Sequence, residues 1–162
     1  MSEGRNRGVK TVDEVFAHSS IVDFENGMNA FIMEKFVARK PLTKSEETLA
    51  LLYRIEPSMY SNGFVDLFYQ EFSLLETKKV IEALEALGFL EAAKLFNEAK
   101  EIYVGHNRNI TEEEYGRRDP FRMETSPGLR FDEIGEVFGN TLNLVGGGKV
   151  YEFAKRNRDD FI

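Results

Sequence analysis

The chain has 162 residues, 42% hydrophobic and 30% charged, with 28 acidic residues against 21 basic ones for a formal net charge of -7. That length buries a core without staples and that composition excludes a disordered polymer, while the acidic excess opposes nonspecific binding to a nucleic-acid backbone, which needs lysines and arginines to displace counterions. Cysteine is absent, which excludes disulfides and thiolate metal sites, and no apolar run approaches the ~20 residues that span a bilayer.

The N-terminus carries no signal-peptide-like apolar stretch, so the expected location is cytoplasmic. With 14 Phe, 6 Tyr and no Trp, the core is expected to be rich in phenylalanine. Residues 1–10 (MSEGRNRGVK) form a flexible basic-polar lead, and residues 11–162 are expected to make a single helical domain. Thr11 with Glu14 has the spacing of a capping box, and Val12, Val15 and Phe16 recur behind it at helical intervals. An amphipathic segment from Ile21 to Ala38 follows and stops before Lys40-Pro41.

Thr43 or Ser45 caps the next helix, in which Leu49, Leu52, Tyr53 and Glu56 step at three and four and Pro57 lies near the end. A helix over Gly63 to Phe72 would align Phe64, Leu67, Phe68 and Phe72 in one stripe. Thr77 is expected to start another helix, with Val80, Ile81, Leu84 and Leu87 inward and Gly88 ending it in a left-handed conformation. Helix resumes from Leu90 to Tyr103, a turn follows at Gly105 to Asn109, and Gly116 to Gly128 reads as irregular. Phe131–Leu144 and Lys149–Arg156 complete the set, joined by the triple glycine 146–148. No strand-like alternation of useful length occurs, which predicts an all-α fold of about seven to nine short packed helices.

No constellation of catalytic groups emerges. His18 and His106 are the only histidines, and neither belongs to a metal-binding helix motif. Ser19 and Ser20 adjoin His18, but adjacent residues do not place a nucleophile against its base. Glu112, Glu113 and Glu114 after Thr111 read as the capped, dipole-matched start of a helix. Gly146-Gly147-Gly148-Lys149 lacks both the first glycine and the final Ser or Thr of a phosphate loop, so it reads as an inter-helix turn. Arg117, Arg118, Arg122 and Arg130 concentrate positive charge that could grip an anion or pair with Asp119, Glu124 and the glutamate run. Neither a metal nor a cofactor is expected.

A family resemblance enters through the middle of the chain. Ser61-Asn62-Gly63-Phe64, the spacing onward to Phe68, and the Ala83-Leu84-Glu85-Ala86-Leu87-Gly88 helix end resemble the bacterial DNA-mimic-protein C-terminal-like domain family, which carries an Asn-Gly-Gly-Phe signature and an Ala-Leu-x-x-Ile-Gly helix end. Asn62 stands for the first glycine of the pair and Leu87 for the isoleucine. Leu129 to Glu133 and Tyr151 to Phe161 resemble later elements, so the likeness covers about residues 45–161. It implies a noncatalytic helical domain with mainly structural motif residues (Asn62, Gly63, Phe64, Phe68, Leu87, Gly88). At least one relative acts as an acidic mimic of double-stranded DNA on the DNA-binding face of a regulator, and others are expected to neutralise toxins.

The charge distribution is compatible with that implication. Residues 57–104 hold eight acidic against four basic residues. Glu91, Glu98 and Glu101 fall close to one helical stripe, Glu82 and Glu85 lie on the preceding helix, and Lys94 is placed to pair with Glu91. Three functions follow. The leading one is a protein-binding domain using the Glu82, Glu85, Glu91, Glu98 and Glu101 surface against a DNA-binding regulator or a basic toxin, with no direct contact to nucleic acid or membrane, and compatible with a homodimer. The second is a small-ligand-binding or structural domain with a pocket opened by Gly63 and Phe64 and lined by Phe68, Tyr69 and Phe72. The third is a hydrolase using scattered carboxylates and His106.

Overall fold

A computed structural model describes residues 10–62, 64, 67–106 and 126–162. The lead at residues 1–9, Gly63, the capping box at Thr111 to Glu114, and Arg117, Arg118 and Arg122 lie outside the described residues. The fold is all helical: among the described residues there are eight α-helices, one π-helical turn, one 3-10 turn and no strand.

The first three helices begin at the side chains that end-capping requires. Thr11 Oγ1 accepts the Glu14 amide and the Glu14 carboxylate accepts the Thr11 amide, which starts α1 (Val12–Phe16). Ser20 caps α2 (Ile21–Val37), which stops at a left-handed Arg39 with φ of 53°. Thr43, not Ser45, caps α3 (Lys44–Tyr53), closing a box with Glu46. Ser45 is buried instead, and its hydroxyl donates to Asp160 Oδ2 at 2.6 Å.

The chain then departs from the expected register. Helix α3 ends at Tyr53, and Pro57 lies in the first turn of a new helix, α4 (Ile55–Asn62), rather than at the close of the old one. A proline there has no intrahelical amide bond to lose. The stripe from Phe64 to Phe72 is buried throughout, but Leu67–Glu71 is wound as a π-turn in which the Phe72 amide donates to the Leu67 carbonyl at 3.0 Å.

Thr77 does not start the following helix. Ser73 does, through a capping box with Glu76, so α5 runs Leu74–Ala86 and the buried Thr77 bonds back to the Leu74 carbonyl at 2.7 Å. Gly88 ends it as expected. Its φ is +80°, its amide donates to Glu85, and the Phe89 amide donates to Leu84 at 2.8 Å, a left-handed helix stop. Helix α6 (Leu90–His106) continues through Gly105, where a turn was expected, because one glycine costs a helix too little to break it. Helix α7 (Ser126–Thr141) includes Ser126 to Gly128, assigned to irregular structure from sequence, with Pro127 in its first turn. Helix α8 (Lys149–Arg156) has the expected bounds, and a 3-10 turn (Arg158–Asp160) follows.

The helices pack as a series of neighbours, α1 on α2, α2 on α3, α3 on α5, α5 on α6 and α6 on α7, with α4 against α3 and α8 against α2. The core is phenylalanine-rich, as composition implied. Phe64 lies at its centre, its ring 5.0 to 5.8 Å from those of Phe68, Phe96, Phe131 and Phe138. Gly135 of α7 makes that packing feasible, because a Cβ there would fall 2.9 Å from Phe64 Cβ.

Candidate protein-binding surface

The five candidate glutamates of α5 and α6 divide into two groups. Glu82 and Glu85, in the last two turns of α5, and Glu91, in the first turn of α6, are exposed at one end of the hairpin, and none makes an ion pair with a described residue. Glu85 also borders a shallow groove with Lys149, Glu152 and Arg156 of α8. Glu98 and Glu101 are already engaged. Arg130 of α7 forks onto both Glu98 oxygens at 2.8 and 3.0 Å and reaches Glu133 at 3.5 Å, while Lys100 lies 3.2 Å from Glu101. The bonds to Glu98 raise the Arg130 guanidinium above its ordinary range. The expected Glu91–Lys94 ion pair does not form among the described residues.

Sequence reasoning missed the contribution of α7 and α4. Asp132, Glu133 and Glu136 point outward from α7 while Phe131, Ile134 and Phe138 point inward, and Glu56 is exposed on α4. The signal was present in the three-and-four spacing of Phe131, Ile134 and Phe138, which leaves those carboxylates on the opposite arc.

The family-motif residues other than Gly63 fall within the described structure. Phe64 and Phe68 are buried in the aromatic centre, Leu87 and Gly88 form the stop of α5, and Asn62 closes α4. Phe64, Phe68 and Phe72 are buried in the core. Lys149 holds the helix stop from outside: its ammonium donates to the Gly88 carbonyl at 2.9 Å and lies 5.4 Å from the centre of the Phe89 ring.

Several charged groups are consumed internally. Glu25 of α2 is buried and accepts the Gly146 amide at 2.6 Å and the Tyr151 amide at 3.2 Å. The triple-glycine loop therefore turns a backbone donor onto a carboxylate of its own chain, which accounts for it without a phosphate. Glu46 is also fully buried and accepts from Lys35 at 2.6 Å, the Thr43 amide at 3.0 Å and the Ile162 amide at 3.1 Å. Arg54 bridges Glu71 at 2.8 Å and Glu76 at 2.9 Å, with its guanidinium over the rings of Phe36 and Phe72. His18 Nε2 accepts from the Lys10 ammonium at 2.9 Å, and its ring packs on Gly27. Among the described residues no group of three His, Asp or Glu side chains is arranged to hold a metal ion, and no helix is long and apolar enough to cross a membrane.

The helix-stop motif, the buried Phe64 and the outward carboxylates now stand in one frame, and a family model described as DMP19-like protein matches residues 40–157. The chain belongs to the DMP19-like protein family. No curated protein and no solved structure matches it. The DMP19-like stretch begins just before α3 and ends at the close of α8, so α1 and α2 precede it, and α2 still supplies Lys35 and Glu25 to its buried polar contacts.

Proposed function

We propose that residues 11–162 act as one noncatalytic protein-binding domain in the cytoplasm, whose acidic helical surface engages a basic protein, either a DNA-binding regulator or a basic toxin. The observation that carries this reading is the group of Glu82, Glu85 and Glu91, exposed together at one end of the α5–α6 hairpin without an ion-pair partner among the described residues. Carboxylates free of internal partners lose least when a cationic surface arrives, and their field accelerates encounter with it. Membership of the DMP19-like family and the net charge of -7 support the same direction, including the duplex-mimic form of the reading.

Affinity capture from a lysate of the source organism, at low and high salt and identified by mass spectrometry, tests it. The expected result is a DNA-binding regulator or basic toxin that is lost at about 1 M salt, where screening extends to within about 3 Å of each charge. The same protein should be lost from the Glu82→Lys, Glu85→Lys, Glu91→Lys variant, whose exposed positions leave the melt unchanged. Capture of no protein at either salt overturns the reading.

A further inference from the structure

A cleft of about 260 Å³ lies between α4 and α7. Ile55, Met59, Phe138 and Leu142 supply its apolar walls, and Glu56, Glu136 and Asn140 supply its polar groups. Glu56, Glu136 and Asn140 are exposed, and neither carboxylate makes an ion pair with a described residue. Glycine keeps the α7 side open: a Cβ at Gly139 would meet only Met59 Cε, at 3.7 Å, so any longer side chain there would project into the space that Met59 borders.

Size and chemistry limit what can occupy it. Pockets for cofactors and drug-sized ligands run from about 300 Å³ upward, so this volume suits one long side chain better. The walls suit a methylene stem, and two carboxylates without an ion pair among the described residues, beside an amide, suit a cation with several donors. Arginine combines both: its stem lies along apolar surface while its planar guanidinium distributes five N–H groups among nearby acceptors.

We infer that the α4–α7 cleft is the seat of one arginine side chain presented by the basic partner. The inference rests on the proposed binding of a basic protein and adds to it a specific anchor distant in sequence from Glu82, Glu85 and Glu91. A buried arginine in a pocket is the kind of contact that dominates interface energetics, whereas exposed rim charges mainly set rate and salt dependence.

The test needs no knowledge of the partner. Acetyl-Gly-Arg-Gly-amide is titrated into protein labelled for backbone amide and methionine-methyl NMR, with the citrulline peptide as its neutral isostere. The arginine peptide should shift the Met59 methyl and the Gly139 amide saturably, and the citrulline peptide should not. The Glu56→Gln, Glu136→Gln double variant should bind about tenfold more weakly, as expected for the loss of charge-assisted bonds. Gly139→Leu should abolish the shifts while its melt and spectrum show a folded protein, since a helical glycine is replaced by a stronger helix former.

Equal shifts from both peptides, unchanged binding by folded Gly139→Leu, or no saturable shift at Met59 and Gly139 would each overturn the inference. The capture experiment depends on other residues and on a whole partner, so failure of either result is read separately. A partner captured through the acidic hairpin and held unchanged by Gly139→Leu would leave the surface reading standing and remove this one.

Discussion

Gly88 and Arg39 occupy the same left-handed position after their helices, at φ of +80° and 53°. An L side chain is strained there, and glycine is not. Gly88→Val should therefore lower stability by about 1–2 kcal/mol, read as a fall in Tm of several degrees, through backbone strain, since only Lys149 Nζ lies within 4 Å of the added Cβ. An unchanged melt would show that this stop carries no such strain. Arg39→Gly should act oppositely, raising stability by up to about 1 kcal/mol. Tyr53 offers a third case. Its hydroxyl is buried without a hydrogen-bond partner among the described residues, and burial, followed by the charges of Glu25 and Glu56, raises its pKa and keeps it neutral. Tyr53→Phe should be neutral or stabilising by about 1 kcal/mol in a denaturant titration, because it removes an unsatisfied polar group at constant shape. A clear loss of stability would show that the hydroxyl has a partner.

At the scale of the element, Glu76 joins the cap of α5 to the Arg54 bridge. Partial burial raises its pKa, but the bonds from Ser73 and Arg54 together outweigh that and leave it below the ordinary carboxylate range. A carboxylate depressed in the folded state stabilises the fold above its unfolded pKa, and that contribution is lost as pH falls through the folded value. Glu76→Gln should cost about 1–2 kcal/mol at pH 7. Its denaturation curve should converge with that of the parent as pH falls below about 4. A gap that persists at pH 2 would show that the carboxylate charge is not responsible.

The same element shows what could be read from sequence and what could not. Thr11–Glu14 announced α1 because both halves of a capping box lie in adjacent sequence, and Gly88 announced the stop of α5 because few other residues tolerate that conformation. Ser73–Glu76 carries the identical box signal, but it sits beside the aromatic segment, and Thr77 drew the helix start to itself. The π-turn at Leu67–Glu71 had no local signal, because five-residue bonding there is set by the fit of Phe64 and Phe68 among Phe96, Phe131 and Phe138. On the surface, Glu82 and Glu91 were legible as outward positions of amphipathic helices. The engagement of Glu98 by Arg130 was not, since the two are brought together only when α7 packs on α6.

For the whole molecule, the closing feature is the attachment of the C-terminal segment to the first three helices. Thr43 donates to the Asp160 carbonyl at 2.6 Å, Lys35 donates to the Ile162 carbonyl at 2.9 Å, Arg158 pairs with Asp13, and Phe161 is buried. Glu46 lies at the centre of this attachment with no exposure. Glu46→Ala should cost about 3–5 kcal/mol and release the segment, because it leaves the Lys35 charge and the Ile162 amide without their buried acceptor. Hydrogen exchange localised to residues 157–162 would register the release, and protection equal to the parent's would refute it.

Glu25 and Glu46, both made within the first third of the chain, take backbone donors from Gly146, Tyr151 and Ile162. During synthesis those donors do not yet exist, and an early fold would have to bury two incompletely satisfied carboxylates. The N-terminal helices should therefore remain protease-sensitive on the ribosome and acquire protection only when residues 146–162 have left the exit tunnel.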